Sequence, residues 1–348
     1  MGNLPFTRAQ PLQRKWIGAD KDGRGFSVMS FNILCDAYCP PDVFGLTRPP
    51  FMRWDERKRK ILKEIRDRSA DVVCLQEVEK KAFEYFCTEL TDYTGFYEAK
   101  RQPAADGVAI LYKRAQFKSV AYFAWSLTGD TMYHWLAAQT GAPQHLTQPH
   151  VSHNTIASKD DTAVSDSKSA DLADSAGPAT VSGKPTSTRP HVMWGSKGLQ
   201  NVVRSAVSRD TVAHLCLLQL ADESTSSQAA EPSSSPSSSN QSNQSNTVCI
   251  VNTHIYWDPK VPEIKVLQSA LMMKRVQEFL LTLPTPENQS PDVTTPVVVC
   301  GDFNSLPTKT TSDRYDTLKA GEVLVSGVYE LMTRSTLSRS HSHHPFTR

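Results

Sequence analysis

Polar residues that can hold a hard metal ion follow four apolar, strand-like runs of the sequence. Asn32 follows the run Phe-Ser-Val-Met-Ser-Phe, Glu77 follows Asp-Val-Val-Cys-Leu-Gln, and His254 follows Thr-Val-Cys-Ile-Val-Asn-Thr. Asp302 follows Pro-Val-Val-Val-Cys-Gly, and Asn304 lies two residues later. In α/β sheets, ligands bind at strand ends, because a rigid scaffold holds the side chains there. We therefore predict that these five residues share one cleft.

The residue types in this set suit the hydrolysis of a phosphate ester. Mg²⁺ accepts one or two carboxylates and fills its octahedron with water and substrate oxygens, and Mn²⁺ is the alternative ion. Glu77 is the predicted metal ligand, with Asn32 beside it. Asp302 can orient or deprotonate the attacking water, and Asn304 can hold that water against the phosphate. His254 can donate to the negative charge that develops on phosphorus.

Each of these residues, taken alone, is more often an ordinary loop or turn residue, because loops are polar for many reasons. The most specific part of the pattern is the segment Gly-Asp-Phe-Asn-Ser at 301–305. Its glycine permits close backbone approach, and two hydrogen-bonding side chains flank an apolar one that points the other way. The prediction of a shared site therefore rests on the combination.

Short β-rich runs alternate with longer helical patterns along the chain. The strand candidates, rich in Val, Ile, Leu and Cys, are residues 26–33, 71–76, 107–112, 213–220, 248–255 and 297–301. Residues 54–68 and 262–281 carry apolar side chains at helical spacing. Strands interleaved with helices predict a layered α/β fold.

Composition limits the domain organisation. Residues 153–190 and 223–246 are low-complexity stretches that cannot bury enough apolar surface to order themselves, and strand-like runs resume after each. We interpret them as insertions within a single domain at 26–348, preceded by an N-terminal extension at 1–25. No run approaches the length of about 18 apolar residues that spans a bilayer, so no membrane contact is expected.

The charge balance and the cysteine content indicate what kind of partner surface and which cellular compartment to expect. The 38 basic and 36 acidic residues nearly balance, which argues against a surface that binds polyanions all over, so contact with nucleic acid should be local. Seven cysteines, several inside apolar runs, favour a reducing compartment. We expect the cytoplasm, with the nucleus and mitochondrion as alternatives.

At these motifs the sequence resembles the endonuclease/exonuclease/phosphatase superfamily, and within it the branch of the carbon catabolite repressor deadenylases, nocturnin and Angel. The segment Asn-Thr-His-Ile-Tyr-Trp-Asp-Pro at 252–259 is the most diagnostic for this branch. The other matching segments are 30–36, 54–58, 70–78, 106–110 and 326–330.

This resemblance implies a two-sheet α/β sandwich and a magnesium-dependent 3′-5′ exoribonuclease that releases AMP from poly(A) tails of mRNA. It also implies RNA and deadenylase-complex subunits as partners. Glu77 resembles the family's metal ligand with Asn32 as its neighbour, and Asp302 and Asn304 resemble the pair that organises the nucleophile. His254 resembles the imidazole that stabilises the phosphate. Pro259 matches a residue that packs near the adenine base.

The sequence departs from the family pattern near its end. The family's Asp-Tyr-Ile strand and Ser-Asp-His segment have no counterpart before Arg348, so we expect the last strands of the sandwich to be absent and activity to be weak or lost. His341, His343 and His344 are interpreted as a loop or a frayed terminus. Two alternatives stay open: a nocturnin-like or 2′,5′-oligoadenylate phosphodiesterase or phosphatase, and a non-catalytic RNA-binding or adaptor protein.

Two further surface features have alternative interpretations. Five basic residues of the first helix could face RNA phosphates, but interleaved acids favour a solvated helix face: Arg57, Lys58, Arg59, Lys60 and Lys63. Three aromatic residues could stack on bases, although core packing explains them equally well: Phe51, Trp54 and Trp257.

Overall fold

Two four-stranded β-sheets form the framework of the chain. The computed structural model describes residues 16–18, 25–39, 49–101, 103–127, 209, 211–221, 246–283, 295–310, 319, 321–338 and 340–343. The predicted insertion at 153–190 and all of the one at 223–246 except Asn246 lie outside these ranges, as do most of the N-terminal extension and His344.

The first sheet has the strand order β1-β2-β4-β3. Its strands are β1 (Val28–Asn32), β2 (Val72–Val78), β3 (Tyr93–Ala99) and β4 (Gly107–Lys113). β1 and β2 are parallel, whereas β4 is antiparallel to both of its neighbours. Two helices cover the outer face, namely α2 (Trp54–Arg68) and α3 (Lys80–Glu89), with α1 (Pro49–Met52) preceding them. Apolar residues at helical spacing, such as Ile61, Ile65 and Phe83, are buried there because they face the sheet.

The second sheet has the strand order β5-β6-β7-β8. Its strands are β5 (Phe117–Ser126), β6 (Val212–Leu220), β7 (Thr247–His254) and β8 (Val297–Asp302). β7 and β8 are parallel, and the other neighbouring pairs are antiparallel. Helix α4 (Pro262–Thr282) packs on the outer face, where Leu267 and Leu271 join Val251 in one apolar cluster.

The inner faces of the two sheets pack against each other. Their shared core includes Cys74 and Ile110 from the first sheet and Cys216 and Ile250 from the second. Each sheet contributes one parallel pair, β1 with β2 and β7 with β8, and side chains from the ends of these pairs are hydrogen-bonded to one another. This arrangement gathers the carboxyl ends of four strands at one edge of the sandwich.

Smaller elements complete the described chain. They are a 3₁₀ helix at Asp36–Tyr38, the two-stranded ribbon of β9 (Thr308–Lys309) and β10 (Leu324–Val325), and helix α5 (Gly327–Arg334). No helix in the described ranges has both the length and the apolar character needed to cross a bilayer.

The structure confirms the predicted two-sheet α/β architecture. All six predicted strands and both predicted helices are present, with ends shifted by at most a few residues. β3, β5 and α3 were missed. β5 is ten residues long, but polar residues near its start and the 53% exposed Val120 break the simple alternation that would reveal a strand.

Of the two interpretations of the terminal histidines, a loop or a frayed terminus, the structure supports the loop for His341 and His343. The His343 side chain accepts a hydrogen bond from the Gly327 N–H at 3.2 Å, and His343 is only 1% exposed. His341 Nε2 lies 2.9 Å from the Val325 carbonyl oxygen. The segment is thus packed against the start of α5, because these imidazoles satisfy backbone groups there.

The basic residues of α2 form ion pairs along the helix rather than an open cationic face. Lys58 pairs with Asp55 at 2.7 Å, and Arg59 pairs with Glu56. Arg57 turns inward and donates to the Ile33 carbonyl oxygen at 2.8 Å. This residue therefore fixes the loop after β1, next to Asn32.

Candidate active site

Asn32 joins two carboxylates that come from different sheets. Its side-chain Nδ2 donates to Glu77 Oε1 at 2.8 Å and to Asp302 Oδ2 at 2.9 Å, while its Oδ1 accepts from the Leu34 N–H at 2.9 Å. The parallel pairing of β1 with β2 sets Asn32 opposite Gln76, one residue before Glu77. The amide therefore presents nitrogen to the carboxylates and holds them on either side of itself.

Glu77 is held by the backbone as well as by Asn32. Its Oε2 accepts a hydrogen bond from the Cys35 N–H at 3.1 Å. The ladder between β2 and β4 shifts register at this residue, which has a φ of 57°. A left-handed backbone costs a non-glycine residue roughly 1 kcal/mol, and such strain persists only where surrounding contacts determine it.

The segment after β8 forms a tight turn. The Asn304 N–H donates to Asp302 Oδ1 at 2.8 Å, and Asn304 itself has a φ of 46°. Gly301 permits this geometry, because its φ is 153° and an added Cβ would lie 2.5 Å from the Thr253 carbonyl oxygen. Asp302 thus has one oxygen on the Asn304 amide and the other on Asn32.

His254, at the end of β7, is oriented from both ring nitrogens. Asn304 Nδ2 lies 3.0 Å from His254 Nε2 and also donates to the Ile255 carbonyl oxygen at 2.8 Å. Nδ1 faces Asp106 Oδ2 at 3.7 Å. Lys100 Nζ lies closer to the same nitrogen, at 3.2 Å, so Nδ1 faces a buried charged pair while Nε2 faces Asn304.

A buried group centred on Asp106 supports His254, and the sequence analysis did not include it among the site residues. Asp106 is 1% exposed and accepts from Lys100 Nζ at 2.7 Å and from the Tyr38 hydroxyl at 2.8 Å. Burial alone would raise the pKa of the Asp106 carboxyl, but hydrogen bonding to His254 and the Lys100 ammonium lower it to about 2. Asp106 is therefore a permanent anion behind the imidazole.

Asn252 ties the two sheets together directly beneath the site. Its Oδ1 accepts from Gln76 Nε2 at 2.8 Å, and its Nδ2 donates to the Leu75 and Ala109 carbonyl oxygens at 2.9 Å each. The residue is fully buried. Because Asn252 is two residues before His254 and Gln76 is one residue before Glu77, this contact sets the register between the two halves of the site.

Two adjoining cavities lie over this arrangement. A cleft of about 610 Å³ is lined by Asn32, Asp302 and Asn304, among others. Glu77 and His254 lie behind it, with side chains that are 14% and 7% exposed. A smaller side pocket of about 120 Å³ is lined by Pro259 and shares Asn304, Ser305 and Leu306 with the cleft. We refer to these cavities as the cleft and the side pocket.

The donor set fits a magnesium ion better than a metal that needs a closed protein cage. In the described residues, no three or more His, Cys, Asp and Glu side chains gather closely enough to enclose a metal ion. Glu77 and Asp302 supply carboxylate oxygens within reach of one amide group. Mg²⁺ needs one or two such carboxylates and keeps most of its waters, so this donor set suffices for it.

All five residues predicted from the sequence are therefore brought together. Asn32, Glu77 and Asp302 form one hydrogen-bonded group, and Asn304 connects Asp302 to His254. Pro259 lies apart from them, in the side pocket. Asp106 was missed although it opens the segment at 106–110 that carries the family resemblance, and that segment is the signal that could have identified it.

Comparisons with known proteins show what the sequence and the fold of this chain are similar to. The model of the Endonuclease/Exonuclease/phosphatase family matches residues 29–187. A relative from Saccharomyces cerevisiae, named CCR4-Not complex 3′-5′-exoribonuclease subunit Ccr4, is 26% identical over 322 residues, covering 89% of this chain and 28% of the relative. The protein of the same name from Mycosarcoma maydis is 26% identical over 352 residues, covering 90% of this chain and 40% of its own length.

The chain thus spans less than half the length of these relatives. Among solved structures, the crystal structure of ANGEL2, described as a 2′,3′-cyclic phosphatase in complex with adenosine-2′,3′-vanadate, shares the fold with a TM-score of 0.50. It is 21% identical, and the match covers 90% of this chain and 58% of ANGEL2. Residues 29–187 are thus similar to the Endonuclease/Exonuclease/phosphatase family, and the match to the ANGEL2 structure agrees with the two-sheet fold.

Proposed function

We propose that this chain is a magnesium-dependent phosphodiesterase that removes nucleotides from the 3′ end of RNA, with poly(A) as its substrate and AMP as its product. The observation that carries the proposal is the hydrogen-bonded set of Glu77, Asn32 and Asp302, continued through Asn304 to His254. This set combines carboxylates for a metal ion with a base and an imidazole for phosphoryl chemistry.

The residues divide the work of hydrolysis among themselves. Glu77 would hold Mg²⁺, which when bound supplies positive charge against the phosphate oxygens. Asp302 accepts hydrogen bonds at both oxygens, which orients it to take the proton of the attacking water. Asn304 positions that water. His254, held by Asn304 at Nε2 and by Lys100 and Asp106 at Nδ1, is placed to hydrogen-bond the phosphate and thereby stabilise charge on it.

The side pocket suits the base of the nucleotide that is removed. Pro259 and Pro262 give it apolar walls, and it opens into the cleft at Asn304. A flat nucleobase can pack between such walls while its phosphate reaches Asp302. The proposed partners are RNA and, because the relatives are named as CCR4-Not complex subunits, subunits of a deadenylase complex. The proposed compartment is the cytoplasm, with the nucleus and mitochondrion as alternatives.

A hydrolysis assay with matched variants tests this function. The 348-residue chain would be incubated with 5′-labelled oligoadenylate and Mg²⁺, and released AMP would be measured. Glu77→Gln and Asn304→Ala should each lower the rate by roughly two orders of magnitude or more, since each removes a group that acts on the reacting phosphate. Glu84→Gln, at an exposed position on α3, is the control and should leave the rate unchanged.

The same assay separates the competing functions. Release of phosphate from NADPH, or cleavage of 2′,5′-linked oligoadenylate at a higher rate than 3′,5′-linked RNA, would replace the exoribonuclease assignment with a related phosphatase or phosphodiesterase. Tight RNA binding without any hydrolysis would support the adaptor function. Undiminished AMP release by Glu77→Gln would remove Glu77 from the metal site and contradict the proposal.

A further inference from the structure

Trp257 is unusually exposed for an aromatic residue at the edge of an active site. Trp257 follows His254 by three residues in the sequence and is 65% exposed. Leu306, which lines both the cleft and the side pocket, is 68% exposed. An exposed indole offers a flat face on which a ligand ring can stack.

The backbone that carries Trp257 is firmly held, so its exposure is not the result of a loose loop. Lys265 Nζ, on α4, donates to the Trp257 carbonyl oxygen at 3.1 Å and to the Asn304 carbonyl oxygen at 2.7 Å. Gln268, one turn further along α4, accepts from the Tyr256 N–H at 3.0 Å. Lys265 is 3% exposed and Gln268 is fully buried. One buried ammonium therefore joins the Trp257 loop to the Asn304 turn of the active site.

We propose that Trp257 stacks on a nucleobase of a single-stranded substrate, next to the nucleotide that occupies the side pocket. This inference rests on the proposed function and deepens it, because it makes the substrate a polynucleotide strand rather than a small phosphate ester. A fixed indole loses little entropy on binding, and stacking accepts any base because every base has a π face.

The size and place of the exposed surface favour a base over a protein partner. A stable protein interface buries roughly 800 Å² on each side, far more than one indole and one leucine side chain can offer. The backbone of Trp257 is also tied to the candidate site: the Trp257 and Asn304 carbonyl oxygens share the ammonium of Lys265, and Pro259 follows two residues later in the side pocket. A strand that places its phosphate at Asp302 would pass this edge.

Binding measurements with abasic oligonucleotides test the inference without depending on hydrolysis. A labelled oligoadenylate of about ten nucleotides would be titrated with the full chain in the presence of Ca²⁺ instead of Mg²⁺. This length lies within the usual site sizes of single-strand binding folds. Further oligonucleotides would each lack one of the last few bases. Trp257→Ala should raise the Kd for the intact strand roughly tenfold to a hundredfold, whereas Trp257→Phe should retain most of the affinity. Trp16→Ala, at an indole that is 49% exposed, is the matched control and should bind normally.

Stacking makes a specific prediction about combined changes. The strand that lacks the base stacked on Trp257 should bind the wild-type chain more weakly than the intact strand does. Trp257→Ala should not lower the affinity for that abasic strand any further, because the stacking contact is already absent. Equal weakening of every strand by Trp257→Ala, or no weakening at all, would overturn the inference. Hydrolysis in Mg²⁺ is measured separately. If the chain released no AMP but the abasic strand and Trp257→Ala still weakened binding non-additively, the exoribonuclease function would be refuted and the stacking role of Trp257 would be retained.

Discussion

Replacing Asn252 by alanine should destabilise the protein far more than the loss of one side chain within a strand normally does. Asn252 is fully buried and makes three hydrogen bonds across the interface between the sheets, at 2.8, 2.9 and 2.9 Å. The variant leaves the Leu75 and Ala109 carbonyl oxygens without this donor, at about 1–3 kcal/mol each. We therefore expect the free energy of unfolding to fall by about 4 kcal/mol, or a melting temperature lower by roughly 10 °C.

The neighbouring residue provides the matched control. Thr253 is equally buried on β7, but its hydroxyl makes one hydrogen bond, to the Val212 carbonyl oxygen at 3.0 Å, within its own sheet. Thr253→Val should therefore cost about 1 kcal/mol. Asn252→Asp should be worse than alanine at neutral pH, because it turns a donor into a charged acceptor that faces two carbonyl oxygens. Acidification should partly rescue this variant, since a protonated carboxyl can donate one hydrogen bond.

Two assays decide the outcome. Urea denaturation gives the free energy of unfolding, and titration with Mn²⁺ or Mg²⁺, followed by calorimetry well below the melting temperature, reports the metal site. We expect the metal affinity of Asn252→Ala to fall while that of Thr253→Val is retained, because of these two side chains Asn252 bonds to the sheet that carries Glu77 and Thr253 bonds within its own sheet. If the two variants lost equal stability and bound metal equally well, the argument that Asn252 sets the register would be refuted.

Three further predictions concern charge and backbone geometry. The pKa of Asp106 is lowered from its ordinary value of 3.8 to about 2, so the carboxylate stabilises the fold above pH 4 and this stability is lost as the pH falls toward 2. Asp106→Asn should lower the free energy of unfolding by about 2 kcal/mol at neutral pH and make it depend less on pH between 4 and 2. Burial lowers the pKa of His214 from 6.5 to about 3. The unfolded chain therefore takes up a proton at this histidine below pH 6.5 while the folded chain does not, and the folded state loses stability as the pH falls from 6.5 to 3. His214→Phe should reduce this loss in the same titration. Gly301→Ala should lower the free energy of unfolding, measured by urea denaturation, by roughly 3 kcal/mol or more, because the added Cβ would lie 2.5 Å from the Thr253 carbonyl oxygen. Gly321→Ala, at a φ of 82° with open space around it, should cost only about 1 kcal/mol. Similar losses in the two variants would show that backbone strain alone matters at Gly301.

The sequence could predict the five site residues because of a simple property of parallel strands. β1 with β2 and β7 with β8 run in the same direction, so polar residues that follow these strands meet at one edge. Asp106 breaks this rule, since it precedes its strand. β4 is antiparallel to β2, which brings the start of β4 to the edge where β2 ends. Strand direction is set by tertiary pairing, so a rule based on strand ends alone could not include Asp106.

Asn252 was missed for a different physical reason. It lies in a strand that also contains Thr247, Thr253 and His254, and strand periodicity does not tell which polar residue faces a second sheet. The energetic role of Asn252 depends on three partners that are more than 140 residues away along the chain. Propensity and spacing describe local structure, whereas this contact exists only after the two sheets have packed.

The backbone around the cleft indicates that the site is organised before substrate arrives. The described residues include five non-glycine residues with positive φ: Leu34, Ser69, Glu77, Asn304 and Ser335. Ser69 and Ser335 are left-handed C-caps of helices, a common helix ending. The remaining three surround the candidate site, and a hydrogen bond to Asn32 or Asp302 holds each one. Unfavourable local conformations are therefore concentrated where the side chains must be aimed, and the carboxylate and amide network offsets their cost.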